Sequence, residues 1–129
     1  MTNKSSSLFF ALAMLTGSAG SAAGADDPFK DTDCTKATVQ IELDYCANRD
    51  FEAADKRLNV LYRTLFDRSD PKRRERLKAA ERKWIVYRDR DCTEETAGST
   101  GGSIAPMEYS VCLTEKTKAR IRELERQRK

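Results

Sequence analysis

Four cysteines, Cys34, Cys46, Cys92 and Cys112, are the residues of this chain whose chemistry depends most directly on their spacing. In an oxidising compartment, an even number of cysteines in a small domain usually forms disulfides. A zinc site is a weak alternative, because the chain has no histidine and no closely spaced pair of cysteines. The sequence therefore predicts two disulfides, with no metal site and no cofactor.

Helix geometry favours one pairing of these cysteines. Cys92 and Cys112 lie on either side of a short glycine-containing segment, so a bridge joins them readily if two antiparallel helices flank that segment. Cys34 and Cys46 cannot bridge within one straight helix, because twelve residues would separate them by about 18 Å. Cys34 must then precede the helix and fold back along it. We expect this adjacent pairing, and the crossed pairings stay open.

The N-terminus indicates an oxidising compartment. Lys4 precedes an apolar run over residues 8–15, and small residues follow as far as Ala25. This order is typical of a cleavable secretory signal, with cleavage expected between Ala25 and Asp26. The apolar run is too short to span a bilayer, and no cysteine at its end could carry a lipid. We expect residues 1–25 to be removed and the protein to be periplasmic or secreted, without a membrane span.

The charge balance argues against nucleic acid as a partner. The chain has 24 Lys and Arg against 21 Asp and Glu, and removal of Lys4 with the signal leaves a net charge of only +2. Basic clusters at residues 72–74 and 120–128 alternate with glutamates at helical spacing, which is typical of solvated helix faces. Contact of these faces with an anionic envelope polymer is the alternative.

Catalysis has little support in the residue types. Cysteines held in disulfides cannot act as nucleophiles, no histidine is present as a base, and Ser103 has no activating neighbour in sequence. Nothing indicates a carboxylate pair for glycoside hydrolysis. Asp89 and Asp91 near Glu94 and Glu95 could hold a cation only if they converged, which residues one turn apart on a helix do poorly. The sequence predicts a binding protein rather than an enzyme.

Three segments with apolar residues at helical spacing must position these side chains, and no alternating strand pattern occurs. Helix one should begin near Thr38, and residues 48–50 allow a bend or a restart. Helix two should run from about Pro71, behind the capping residue Asp70, to Cys92, and Pro106 should open helix three. The expected buried residues are Val39, Leu43, Cys46, Phe51, Ala54, Leu58, Leu61 and Leu65 in helix one, Leu77, Ala80, Trp84 and Tyr87 in helix two, and Met107, Val111, Thr114, Ile121 and Leu124 in helix three.

This pattern predicts an all-α fold: a small three-helix domain with a long first helix, antiparallel second and third helices and two disulfides. Residues 26–37 are expected to be a flexible, acidic leader, and residues 38–129 to form the helical domain.

A polar group is expected between helices one and two. Asp55 and Asn59 are four residues apart and share one face of helix one, where Tyr87 and Arg88 of helix two could meet them. We interpret the four residues as a structural clamp that fixes the register of the helices, and a ligand site is the alternative.

The segment between Cys92 and Cys112 is the candidate binding loop. Its glycines permit backbone angles that other residues avoid, and a disulfide at its base would lower the ordering cost of binding. A plain connector is the alternative. The candidate binding residues are Gly98, Gly101, Gly102, Ser103 and Ile104 in the loop, with Glu94, Glu95 and Glu108 on its acidic flank.

A pattern of residues spread along the chain resembles a known family. It reads Cys34…Cys46…Ala54-Asp55-x-x-Leu58-Asn59-x-x-Tyr62…Leu77…Trp84-x-x-Tyr87-Arg88-Asp89-x-x-Cys92…Gly102-Ser103…Pro106-Met107…Cys112…Arg120…Leu124. Over residues 34–125 this pattern is similar to that of the LprI-type lysozyme inhibitor N-terminal domain family. The resemblance implies a small, helical, disulfide-bonded and exported domain that protects the cell wall by binding lysozyme.

Two features of this chain depart from what the resemblance implies. The inhibitor that names the family is a lipoprotein, whereas no lipid-attachment cysteine occurs here. Animal-type lysozymes are basic, so an inhibitor of net charge +2 would be repelled unless an acidic patch faced the enzyme. Residues 89–95 and Glu108 could supply that patch. The sequence thus predicts an exported lysozyme inhibitor; an envelope interaction module that binds another envelope protein or an anionic polymer is the alternative.

Overall fold

The computed structural model describes residues 26–128, which form three helices. Their bounds are α1, Gln40–Asp67; α2, Pro71–Glu95; and α3, Ala105–Arg126, with a short 3₁₀ turn at Ala97–Ser99. No strand occurs among the described residues, so the prediction of an all-α, three-helix fold is confirmed. No helix in this part of the chain is long and apolar enough to cross a membrane. The predicted signal at residues 1–25 lies outside the described residues.

The turn between α1 and α2 follows the predicted capping chemistry. Asp70 Oδ1 accepts a hydrogen bond of 2.8 Å from the backbone N–H of Arg73, and Pro71 occupies the first turn of α2. Arg74 donates from Nε to the Phe66 carbonyl at 2.9 Å and from Nη2 to the Asp67 carbonyl at 3.0 Å. These bonds satisfy carbonyls at the end of α1 that have no partner within the helix. The turn therefore directs α2 back along α1.

Helix α1 is continuous through residues 48–50, where the sequence allowed a bend. Asn48 Nδ2 donates to Glu52 Oε1 at 2.8 Å, one helical turn away, instead of capping a new helix. At the other end of the bundle, α2 continues three residues beyond Cys92, the predicted end, to Glu95.

The helices run up, down and up around one leucine-rich core. Three cross-links show that α2 and α3 are antiparallel: Arg73 to the Gln127 carbonyl, Glu81 to Arg120, and Cys92 to Cys112. The core consists of Leu58, Leu61, Leu65, Leu77, Ile121 and Leu124, with Tyr62 and Trp84 packed against it.

Several residues predicted to be buried lie at the surface instead. Tyr87 is 46% exposed, Val111 is 49% exposed, and Val39 and Ala80 are also exposed. For Tyr87 and Ala80 the cause is the narrow contact that α2 makes, since its buried residues are Leu77, Arg88 and Cys92. Helix α2 therefore contributes a buried arginine where an apolar face was expected.

Both disulfides have the predicted pairing, Cys34–Cys46 and Cys92–Cys112. Loops of this size give each bridge about 3 kcal/mol of stabilisation in the chain-entropy description. Residues 26–37 form turns beside the start of α1, where the rings of Phe29 and Tyr45 are 5.5 Å apart. The division of the chain at residue 38 stays a prediction.

Candidate functional site

A stack of charged and aromatic side chains lies beside the leucine-rich core. The guanidinium carbons of Arg88 and Arg120 lie 5.1 and 5.7 Å from the centre of the Trp84 ring, and Arg88 also lies 5.3 Å from the Phe51 ring. Cations over aromatic rings are attracted by the electrons of the ring face. Trp84 therefore links α1, α2 and α3 through two arginines.

Three of the four residues proposed as a polar clamp lie together. Arg88 is only 8% exposed, and its Nη1 lies 3.5 Å from Asp55 Oδ1. Asn59 Nδ2 donates to Asp55 Oδ2 at 2.9 Å, and Arg88 Nε donates to Asp89 Oδ1 at 2.8 Å. Asp55, Asn59 and Arg88 thus find polar partners within the protein, which agrees with a structural role.

Tyr87 does not join this group. Its hydroxyl donates to Asp91 Oδ2 at 3.3 Å on the exposed side of α2. Neighbouring residues of a helix point about 100° apart, so Tyr87 cannot follow Arg88 into the interior.

Arg120 was predicted to lie on a solvated face, and this prediction is wrong because the residue is buried. It is 7% exposed, and it donates to Glu81 Oε2 from Nε at 3.1 Å and from Nη2 at 2.9 Å. Its Nη1 donates to Glu123 Oε2 at 2.8 Å. Although burial opposes the charge, the bonds to Glu123 and Glu81 raise the pKa of Arg120 above its ordinary value. The spacing of Glu81, Trp84 and Arg88 on one helical face is the sequence signal that could have indicated such a cluster.

An open groove of about 820 Å³ lies between the 3₁₀ turn and the outer side of α3. Its apolar lining is provided by Met107, Val111 and Ala119, with the partly exposed Cys112 beside them. Charged side chains complete the lining: Glu95, Glu108, Glu115, Lys116 and Arg122. An exposed apolar strip with charged edges is suited to contact with another protein.

The candidate loop residues divide between this groove and the end of the bundle. Gly98, Glu95 and Glu108 line the groove. Glu94, Gly101, Gly102, Ser103 and Ile104 are exposed near it. The segment is held by successive turns, with Gly102 N–H donating to the Ser99 carbonyl at 2.9 Å and Ala105 N–H donating to the Gly102 carbonyl at 3.3 Å. Gly101 has a φ of 83°, in the region that favours glycine.

The acidic flank is partly neutralised by a lysine from α3. The Lys116 ammonium forms ion pairs with Asp91 and with Glu95, the latter at 2.7 Å. These hydrogen bonds raise the pKa of Lys116 and lower the pKa of Asp91 relative to their ordinary values. Among the described residues, Glu108 is the flank residue with no cation within 4.0 Å. Glu108 is thus a carboxylate on the groove that remains available to a partner's cation.

The fold separates charge along the length of the bundle, with the contact between Asp55 and Arg88 near the boundary. One half, residues 26–55 and 86–112, carries fourteen carboxylates and five cations, a net charge of −9. The other half, residues 56–85 and 113–128, carries seventeen cations and seven carboxylates, a net charge of +10. We call these the acidic half and the basic half. The candidate loop and the end of the groove nearest to it lie in the acidic half, into which the Lys116 ammonium reaches.

Residues 26–128 contain no cluster of three or more Cys, Asp or Glu side chains arranged to hold a metal ion. The groove itself presents an apolar strip, carboxylates and two cations, Lys116 and Arg122.

Comparisons with known proteins place the chain in a family. The model of the family described as "Lysozyme inhibitor LprI" matches residues 32–124, which include α1, α2, all but the last two residues of α3, and all four cysteines. An uncharacterised protein of Rhizobium meliloti (strain 1021) is 39% identical over 105 residues, covering 71% of this chain and 76% of that protein. No solved structure matches the chain significantly. Because the family match spans most of the chain, this protein belongs to the LprI family of lysozyme inhibitors.

Proposed function

We propose that this protein is exported and inhibits lysozyme by binding it, with the acidic half turned toward the enzyme. The family description supports the activity. The observation that supports the orientation is the separation of charge, because a net charge of −9 surrounds the candidate loop although the whole chain is slightly basic. A cationic enzyme would be steered to this half and away from the basic half.

The contact surface in this proposal combines the groove with the neighbouring loop. Met107 and Val111 offer apolar area, while Glu108 and Glu94 lie in position to meet the partner's cations. The Cys92–Cys112 bridge and the turns through Gly101 hold the loop before binding, which lowers the entropy lost on association. The candidate contact residues are Glu94, Glu95, Gly98, Gly101, Gly102, Ser103, Ile104 and Glu108.

Inhibition in this proposal is stoichiometric occlusion of the enzyme, without turnover by the inhibitor. Export would bring the protein to the compartment where lysozyme acts on the wall, and it would also allow both disulfides to form. The signal-like residues 1–25 and the four paired cysteines support this location.

A lysis-protection assay tests the proposal. Purified residues 26–129, with both disulfides formed, are titrated into a turbid suspension of bacterial cells treated with an animal-type lysozyme. We expect protection that saturates near one inhibitor per enzyme. An absence of protection at a large excess, against lysozymes of several types, would contradict the proposal.

A matched pair of substitutions tests the contact surface. Val111→Ser removes an exposed apolar side chain from the groove, whereas Val60→Ser removes one of similar exposure from the basic half. We expect Val111→Ser to weaken inhibition about tenfold and Val60→Ser to leave it unchanged. Equal inhibition by the two variants would place the contact elsewhere.

The alternative, a module that binds another envelope protein without inhibiting lysozyme, could use the same groove. It predicts capture of a partner from an envelope extract by the wild type, loss of capture by Val111→Ser, and no protection in the lysis assay.

A further inference from the structure

The basic half contains far more cations than its own carboxylates can neutralise. Of its seventeen cations, five form ion pairs: Arg57, Lys78, Lys116, Lys118 and Arg120. The other twelve have no carboxylate within 4.0 Å among the described residues. One of the carboxylates, Asp70, is also occupied as a helix cap. The excess charge is therefore open to a ligand from outside the molecule.

Six cations of the basic half, four of them without a carboxylate partner in the described part of the chain, line two grooves that lie on either side of the last turns of α3. The groove between α2 and α3, of about 300 Å³, is lined by Arg73, Arg76 and Arg120 with one carboxylate, that of Glu123. The groove between α1 and α3, of about 520 Å³, is lined by Lys56, Arg57 and Arg128, again with one carboxylate, that of Glu125.

The positions of these side chains favour a chain-like ligand over a flat surface. Arg73 donates from Nη2 to the Gln127 carbonyl at 3.1 Å, which holds one wall of the first groove against the end of α3. Arg57 is held on the other side of α3 by its ion pair with Glu125 at 2.7 Å. A flexible polymer can pass from one groove to the other across the end of α3, whereas a lipid bilayer would meet only the outermost side chains.

Guanidinium groups suggest which anion the polymer carries. Six cations line the two grooves, and five of them are arginines. Arg120 is buried, so four arginines remain to contact a ligand. Their planar, forked donors match the paired oxygens of a phosphate group. We propose that the basic half binds a linear polymer whose charges are phosphate groups, and that this contact holds the protein at an anionic envelope while the acidic half stays free. This site does not depend on inhibition of lysozyme, because it lies in the opposite half of the bundle.

The experiment measures binding of inorganic polyphosphate, which isolates phosphate chemistry from bases and sugars, by calorimetry over a range of salt concentrations. The test variant is Lys56→Gln, Arg76→Gln and Arg128→Gln. The matched control is Lys30→Gln, Arg49→Gln and Arg90→Gln, which removes the same charge from the acidic half. All six residues are exposed; Lys30 and Arg128 lie in turns, and glutamine is tolerated in helices at the other four positions. Circular dichroism melting checks that both proteins fold.

We expect the wild type to bind polyphosphate with a steep salt dependence. The test variant should lose about tenfold in affinity, and its log–log salt slope should fall by about 2 because three phosphate contacts are removed. The control should bind as the wild type does. Equal losses in both variants would reduce the effect to net charge and overturn the proposal, as would an absence of binding by the wild type.

Two further ligands test the identity of the polymer. Polyglutamate of matched length carries carboxylates instead of phosphates, and phosphatidylglycerol vesicles present phosphates on a flat surface. Weaker binding to both supports the proposal; equal or tighter binding to either one overturns it.

The lysis assay on the test variant separates the two proposals. Inhibition of lysozyme should be retained when polyphosphate binding is lost, and polyphosphate binding by the wild type stands even if the wild type does not inhibit lysozyme.

Discussion

Arg120 donates two hydrogen bonds to a single carboxylate oxygen of Glu81, at 3.1 and 2.9 Å, in a contact that joins α3 to α2. Both side chains are largely buried. A buried pair of this kind contributes little compared with an apolar pair, but the loss of one partner leaves the other charge uncompensated. The two residues should therefore behave as one unit in the stability of the protein.

We predict that Arg120→Met lowers the free energy of unfolding by about 3 kcal/mol, because the Glu81 carboxylate is left without its partner. Adding Glu81→Gln should recover part of the loss, since the uncompensated charge is removed. Urea denaturation of the wild type, both single variants and the double variant measures the coupling. If the losses in unfolding free energy of the two single variants simply add in the double variant, the contact between Arg120 and Glu81 is not the source of the effect.

The ion pair between Lys116 and Asp91 predicts a plateau in stability against pH. The hydrogen bond from Lys116 lowers the pKa of Asp91 in the folded state. The ionised Asp91 carboxylate therefore stabilises the fold at pH values above its ordinary pKa of 3.8, and this stabilisation is lost as the pH falls below 3.8. The bonds to Asp91 and Glu95 raise the pKa of Lys116, so that effect is present below the ordinary value of 10.5 and is lost at higher pH.

Asp91→Asn should therefore weaken the decline in stability below pH 3.8 relative to the wild type. Unfolding followed by circular dichroism from pH 2 to 7 measures this dependence. Glu94→Gln is the control, because Glu94 is exposed and lies 3.8 Å from its nearest cation, Arg90. An acid limb unchanged by Asp91→Asn would show that other carboxylates determine the response.

Gly101 should be the glycine of the loop that tolerates substitution least. Its φ of 83° disfavours any side chain, although a β-carbon would meet no atom within 4 Å. We predict that Gly101→Ala lowers the free energy of unfolding by about 1 kcal/mol. Gly98→Ala is a matched control in equally open space without the positive φ, and it should be neutral or slightly stabilising. Thermal unfolding compares them, and equal melting temperatures would contradict the backbone argument.

Charge reversal should act differently in the two halves of the bundle. Glu108→Lys adds two positive charges to the acidic half, and Glu75→Lys adds two to the basic half on an exposed face of α2. At low ionic strength we expect Glu108→Lys to slow association with a cationic lysozyme about tenfold, with a much smaller effect of Glu75→Lys. Surface plasmon resonance at two salt concentrations measures both rates. Equal slowing would indicate that net charge, not its position, controls the encounter.

Much of the fold could be read from the sequence because it depends on local rules. The leucines of α1 recur at helical spacing, and Asp70 before Pro71 marks the turn to α2 whatever surrounds it. The pairing of the cysteines was expected because a short connection between antiparallel helices brings Cys92 and Cys112 together, which leaves Cys34 and Cys46. Helix rise then required Cys34 to precede α1, as it does. These features depend on residue spacing and on short connections between successive helices.

The tertiary structure decided which polar side chains are buried and where charge collects. Arg120 looks like a surface residue on its own helix, and it becomes buried only because Trp84 and Glu81 of α2 lie against it. Tyr87 follows the apolar period of α2 but is exposed, since α2 contacts its neighbours along a narrow strip.

The Cys92–Cys112 segment was the candidate binding loop from its residue types, but the sequence could not show the groove beside it. Likewise, a net charge of +2 after residue 25 conceals halves of −9 and +10 in the described chain. Those halves exist because the up, down and up course of the helices brings residues 26–55 beside residues 86–112. Charge adds along a chain without regard to position, but a partner meets only the charges that folding has brought to one surface.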